Sequence, residues 1–206
     1  KSNVYTLVAL LQELKIDVIT EHINDDKAIL KEKITGFLKE YDVLMFSGAV
    51  SKGKFDFLPE TLEELGVKKQ FHKVKQRPGK PFWFGAIGSF NMRDSSGETY
   101  EKTGGTTIFA FPGNPVSTFV GCLKYFYPWF KKSVGISHEN SKNAALSEDF
   151  TFKPELTYFL QASLKNDNGK LIATPKKGKG SGDLANLADA DGFLELPADR
   201  TEFKKG

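Results

Sequence analysis

The sequence has one cysteine, Cys122, so no disulfide can form within the chain. Cys122 sits among Phe119, Val120 and Leu123 on a predicted helix and reads as a buried, inert thiol. Histidine is nearly as scarce. His22, His72 and His138 lie far apart, none with a second histidine three or four places on, so they define no metal site. Arginine occurs only at Arg77, Arg93 and Arg200. The net charge of +3 comes from scattered lysines, not from the basic stripe that nucleic acid requires. No apolar run approaches 18 residues and no internal repeat is present, which argues for the cytoplasm and against a membrane span. What remains is an ordinary globular composition, 39% hydrophobic and 27% charged, in a chain of 206 residues. That length allows one large or two small domains.

The chain is organised around Ser47-Gly48-Ala49-Val50-Ser51-Lys52-Gly53-Lys54-Phe55-Asp56. The stretch follows an apolar run, Val43–Phe46, that reads as a buried strand, and precedes a helix over 59–65 stopped by Gly66. Small residues between a strand and a helix let a backbone approach an anion, and the helix start presents N–H groups to it. By itself the pattern reads first as a tight turn after a strand. Two further stretches add to it: Arg77-Pro78-Gly79-Lys80-Pro81, and Phe111-Pro112-Gly113-Asn114-Pro115-Val116-Ser117, which again follows a strand and opens a helix.

The order of predicted elements completes the outline. Asn3 is a candidate cap for a first helix carrying Leu7, Leu11 and Leu14. A short strand is predicted at 16–19, and a second helix capped by Asp25 or Asp26. After the opening loop and its helix, a strand is predicted over 69–74. Helices alternating with strands imply an α/β domain with a mostly parallel sheet, whose ligands sit beyond the carboxyl ends of the strands. Strands are also predicted at 82–87 and 106–111, with a polar hairpin tip between them. Pro128 is expected to kink or end the helix that starts at Pro115. Residues 135–147 turn polar and glycine-rich, placing a domain boundary at 138/139. From 139 to 206 short strands dominate. Asn166-Asp167-Asn168-Gly169 is a hairpin signal, and Ser181 or Asp183 caps a short helix after a glycine-rich run.

Taken together, the three loops resemble those of the molybdopterin molybdenumtransferases, the MoeA-type proteins and the E domain of gephyrin. Their pattern is Gly-Gly-Val-Ser-x-Gly-x-x-Asp, then Pro-Gly-Lys-Pro, then Pro-Gly-Asn-Pro-Val-Ser, and the last two stand here letter for letter. The resemblance runs from about Ser2 to the end of the chain. It implies a three-layer αβα domain of the molybdopterin-binding type over 1–138, with a strand and two further domains ahead of it. A small β-barrel-like domain follows over 139–206, with one more strand after it.

By the same resemblance, the activity is insertion of molybdate into adenylylated molybdopterin with release of AMP. Asp56, Lys80 and Ser117 would be the catalytic residues. Gly48, Ser51, Gly53, Lys54, Pro78, Gly79, Pro81, Pro112, Gly113, Asn114 and Pro115 would bind substrate. Ser181 and Asp183 would close the pocket of a partner subunit in a homodimer. Each residue also has a plainer role: Asp56 and Asn114 as helix caps, Ser181 as part of a flexible turn, Trp83 as core unless it borders a pterin. The three loops are expected to converge on one pocket that welcomes negative oxygens.

Two departures concern the metal. Family members often carry a carboxylate where Lys54 and Lys1 stand here, and the former is linked to Mg²⁺. An ammonium cannot ligate Mg²⁺, so the metal ligand is unassigned. Lys54 also keeps a second reading open, that of a non-catalytic molybdopterin-binding or scaffold module. A third reading, molybdopterin adenylyltransferase, is opposed by the β-rich C-terminal region.

Overall fold

A computed structural model of the chain describes residues 2–24, 26–48, 50, 57–93, 99–102, 104–137, 142–176 and 187–206. By contacts the chain forms two compact units. One holds 1–74 and 81–113; the other holds 75–80 and 114–206.

The first unit opens with α1 (Ser2–Glu13) and α2 (Lys27–Glu40). Asp26 caps α2, its carboxylate accepting from the N–H groups of Ala28 and Ile29 at 2.9 Å. The strand expected at 16–19 does not form. Those residues are irregular, and no described strand pairs with them, so their backbone has no ladder to join. β1 (Val43–Ser47) follows, then α3 (Leu58–Glu64) with a proline in its first turn, then β2 (Lys68–His72). After the excursion at 75–80 come β4 (Trp83–Ile87), the hairpin of β5 (Phe90–Arg93) with β6 (Thr99–Lys102), and β7 (Thr106–Phe111). The sheet order is β1-β7-β4-β2. It is mixed. β1 and β7 run parallel, while β4 is antiparallel to both β7 and β2. The parallel character expected of the sheet is therefore confined, among these strands, to the β1–β7 pair.

Alternation along β7 sorts the core. Ile108 and Ala110 face α2 and α3, packing with Ile34, Leu38, Leu58, Leu62, Leu44 and Trp83. Phe109 and Phe111 point to the other face and meet Phe82 and Phe84. Trp83 is 1% exposed and belongs to the first cluster. It takes the core role read for it. Gly85 makes room for it: a Cβ there would lie 2.4 Å from the indole.

The second unit contains β3 (Gln76–Arg77), α4 (Pro115–Gly121), a π-helical turn (Cys122–Phe126) and α5 (Tyr127–Ser133). Pro128 interrupts the helix as expected, in a particular way. Its ring would crowd the carbonyl four residues back, and the turn before it widens, with Tyr127 N–H reaching Cys122 O. Cys122 is buried, and desolvation pushes its thiol up to about 12.

The strands beyond are β8 (Ala145–Leu146), β9 (Phe150–Thr151), β10 (Thr157–Asp167), β11 (Lys170–Pro175), β12 (Gly192–Leu196) and β13 (Glu202–Phe203). Asn168 (φ 48°) and Gly169 (φ 87°) form the two-residue turn of the β10–β11 hairpin, as the sequence predicts. Phe150, Phe152, Leu160 and Leu196 make the core here. Val116 and Val120 of α4 pack on Phe159 and Phe193. Of the short helix expected after 183, Leu187 and Ala188 are helical; Ser181 and Asp183 lie outside the described residues.

Candidate functional site

Within the first unit, the parallel pairing of β1 and β7 brings two of the three loops side by side. Ser47 is in register with Phe111, so Gly48 and Pro112-Gly113 leave the sheet together at its carboxyl end. Gly48 N–H donates to Phe111 O at 3.1 Å, extending the ladder one step past the strand. Gly48 has φ 93°, a conformation that glycine accepts and L side chains resist. Gly113 sits close by, with space for a Cβ only 3.5 Å from Gly48 Cα.

Asn3 ties these two strand ends together. Sequence reasoning takes it for a helix cap. It is instead the second residue of α1, 7% exposed. Its Nδ2 donates to Ser47 Oγ at 2.7 Å and to Gly113 O at 3.0 Å. Its Oδ1 is buried, and no donor among the described residues reaches it. Nothing in the local sequence announces this role; it follows from the register of β1 against β7.

Of the opening loop's remainder, Val50 is buried in the core. His72 sits beside it: burial lowers its pKa first, with Lys73 and Lys69 adding to the effect, while a hydrogen bond to the Val50 backbone opposes it. Ser51, Gly53, Lys54 and Asp56 lie outside the described residues.

In the second unit, Asn114 caps α4. Its Oδ1 accepts from Ser117 N–H at 2.9 Å and from Ser117 Oγ at 3.0 Å. Pro115 occupies the first turn, where its missing N–H costs nothing. Ser117 is 4% exposed, and its hydroxyl proton is engaged with Asn114. The capping role read for Asn114 holds.

The second loop folds against this helix start. Pro78 and Gly79 are buried. Gly79 has φ 94°, and a Cβ on it would lie 2.9 Å from Gln76 Nε2, 3.6 Å from Ser117 O and 3.7 Å from Ser117 Cβ. The structure therefore places the Gly79 backbone beside Ser117. Lys80 is exposed, and no acceptor among the described residues pairs with its ammonium. Arg77 lays its guanidinium 5.4 Å from the Tyr158 ring centroid and 6.0 Å from that of Phe152. Pro81 is half-buried and opens the return to the first unit.

The donors on offer are a lysine ammonium, backbone N–H groups at glycines, and amide or hydroxyl groups. Such a set suits an oxyanion. Mg²⁺ takes oxygen ligands and commonly a carboxylate, and the carboxylate of the opening loop, Asp56, lies outside the described residues. Among the described residues of the three loops there is no carboxylate. Nor do three His, Cys, Asp or Glu side chains gather anywhere among the described residues. No helix among them is long and apolar enough to cross a membrane.

These features define a class: an α/β protein that presents glycine loops at the carboxyl end of a parallel strand pair, with a β-rich region after it. Comparison with known sequences makes the class particular. The family pattern described as "Probable molybdopterin binding domain" matches residues 1–132, and that described as "MoeA C-terminal region (domain IV)" matches 143–206. The chain belongs to the molybdopterin-binding domain family, joined to a MoeA-type C-terminal region. A molybdopterin molybdenumtransferase of Synechocystis sp. is 39% identical over 208 residues, covering 100% of this chain and 47% of the relative. One from Bacillus subtilis is 30% identical, covering 94% and 41%. A solved molybdopterin biosynthesis moeA protein from Pyrococcus horikoshii shares the fold with a TM-score of 0.71 at 22% identity, over 100% of this chain and 44% of that one. The chain spans about half the length of the curated relatives it matches. The resemblance drawn from the three loops is thus borne out at the level of family and fold.

Proposed function

We propose that the protein of which this chain forms part is a molybdopterin molybdotransferase. It binds adenylylated molybdopterin and molybdate, cleaves the phosphoanhydride to release AMP, and leaves molybdenum on the dithiolene sulfurs. The observation that carries this reading is Lys80: an exposed ammonium with no partner among the described residues, on a loop whose backbone is packed against Ser117. A cation held on a buried scaffold can offset the mutual repulsion of anionic groups without reorganising at the moment of reaction. The matching names of the Synechocystis and Bacillus relatives support the substrate class.

In this reading Lys80, Ser117 and Asp56 act on the reacting groups. Gly48, Ser51, Gly53, Lys54, Pro78, Gly79, Pro81, Pro112, Gly113, Asn114 and Pro115 hold the substrate. Ser181 and Asp183 serve a partner subunit in a homodimer. The division at 138/139 separates the two domains, a proposal supported by family matches that end at 132 and resume at 143. The reaction takes place in the cytoplasm. No step is assigned to Mg²⁺, whose ligands are unassigned.

The test is AMP release by the full-length gene product given adenylylated molybdopterin, molybdate and Mg²⁺. Lys80→Ala is expected to lower turnover by about tenfold or more, the size of losing one charge-assisted contact in the transition state. Lys54→Asp is expected to raise it if the lost carboxylate limits the rate. Tight binding of the nucleotide without any AMP release would replace this reading with that of a binding module.

A further inference from the structure

Lys80 is exposed, yet the backbone carrying it is braced from below. Gln76, four residues earlier, is 5% exposed, and both ends of its carboxamide are used. Nε2 donates to the carbonyl of Pro78 at 2.9 Å. Oε1 accepts from the hydroxyl of Tyr125. The same Nε2 lies 2.9 Å from where a Cβ on Gly79 would stand. Gln76 is itself fixed by β3, which runs parallel to β10: Thr157 pairs with Gln76, Tyr158 with Arg77, and Thr157 N–H donates to Lys75 O at 2.9 Å. Since Tyr158 also pairs with Leu196 of β12, β3 takes the opposite edge of β10.

We propose that Gln76 and Tyr125 are positioning residues for Lys80, a relay in which the tyrosine hydroxyl orients the glutamine amide and the amide sets the Pro78–Gly79 backbone. The proposal deepens the functional reading above and rests on it for what Lys80 holds. The side chains suit the task. A carboxamide can donate to a carbonyl at one end and accept from a phenol at the other; a carboxylate could not donate, and an aliphatic chain could do neither. Burial and then the charge of Glu195 raise the pKa of Tyr125, so its proton stays in place as a donor. Tyr125 lies on the π-helical turn. An added residue in a helical turn re-aims the side chains around it, which is why such turns recur at functional positions.

Tyr125→Phe and Gln76→Met break the relay with little change in volume. In each, exchange of the Gly79 and Lys80 backbone amides should quicken about tenfold, the worth of one buried hydrogen bond. The amides of the β10–β11 hairpin should be unchanged. In the full-length protein, inorganic molybdate binding read by calorimetry should weaken about fivefold or more in each variant, on the same basis. The double variant should bind no more weakly than Gln76→Met, because Tyr125 acts through Gln76. In a Lys80→Ala background neither change should alter affinity. A merely structural role would weaken both backgrounds alike. Unchanged exchange at 79–80 overturns the proposal. So does an affinity loss of full size in the Lys80→Ala background. If the wild-type protein binds no molybdate, the functional reading fails by itself, and the exchange measurement still decides whether Gln76 and Tyr125 hold the loop.

Discussion

Asn3 shows what a single residue contributes. Its two amide protons are both spent, one on Ser47 Oγ and one on Gly113 O, so one side chain fixes the ends of two parallel strands. Asn3→Ala should destabilise the protein by about 1–3 kcal/mol in urea unfolding, toward the lower end because it also removes the buried Oδ1, which no donor among the described residues reaches. Asn3→Asp should cost more than Asn3→Ala. An acceptor-only carboxylate would face the Gly113 carbonyl with no proton to offer. Equal losses for the two variants would show that the donors at this position do not matter. Gly85 makes the complementary point about space, since its missing side chain is what seats the indole of Trp83.

At the scale of elements, α2 is pinned to α3 by charge as well as by packing. Lys27 pairs with Glu60 and Glu64 at 2.9 and 2.8 Å, and Lys31 with Glu64 at 2.7 Å. The hydrogen bond from Lys27, then that from Lys31, lowers Glu64 to about 2 from a usual 4.5. A depressed carboxylate contributes stability above its unfolded pKa and loses it as pH falls through the folded value. The contribution of Glu64 should therefore be complete above pH 4.5 and fade toward pH 2. Thermal unfolding of Glu64→Gln beside wild type should show the two curves converging over that window, with a smaller gap at high salt because the pairs are solvent-exposed. A gap that stays constant with pH would refute the pairing.

The same scale shows what could be read in advance. The three loop motifs, the strands beside them and the Asn168-Gly169 turn were legible because each is local: glycine, proline and apolar alternation act over a few residues. The strand read at 16–19 failed because β structure needs a partner that the local letters do not supply. Pairing of β3 with β10 was invisible for the converse reason, being two residues long and joining positions some eighty apart in sequence. Pro128 signalled an interruption, but not that the helix would answer with a widened turn. The Asn114 cap was legible from its motif; the contacts of Asn3, Gln76 and Tyr125 join positions distant in the chain.

For the whole molecule, composition and contact divide the chain differently. Composition breaks at 138/139. Contact instead gathers 75–80 and 114–137 with the C-terminal strands. The loop bearing Lys80 thus owes part of its order to residues beyond 143: β10 supplies backbone partners for β3, while Tyr158 and Phe152 receive the Arg77 guanidinium. In the same unit Val116 and Val120 pack on Phe159 and Phe193. A piece ending at 138 would leave those valines uncovered, at about 1.5–3 kcal/mol for each fully buried apolar side chain lost. It should keep the mixed sheet, which draws only on residues before 114, and its circular dichroism should show strand content. Its amides at 75–80 should exchange at the rate of an unfolded loop, and it should bind an apolar dye. Full protection at 75–80 in such a piece would mean that the loop orders itself. It would then follow that the C-terminal region does not set the lysine on which anion binding is proposed to depend.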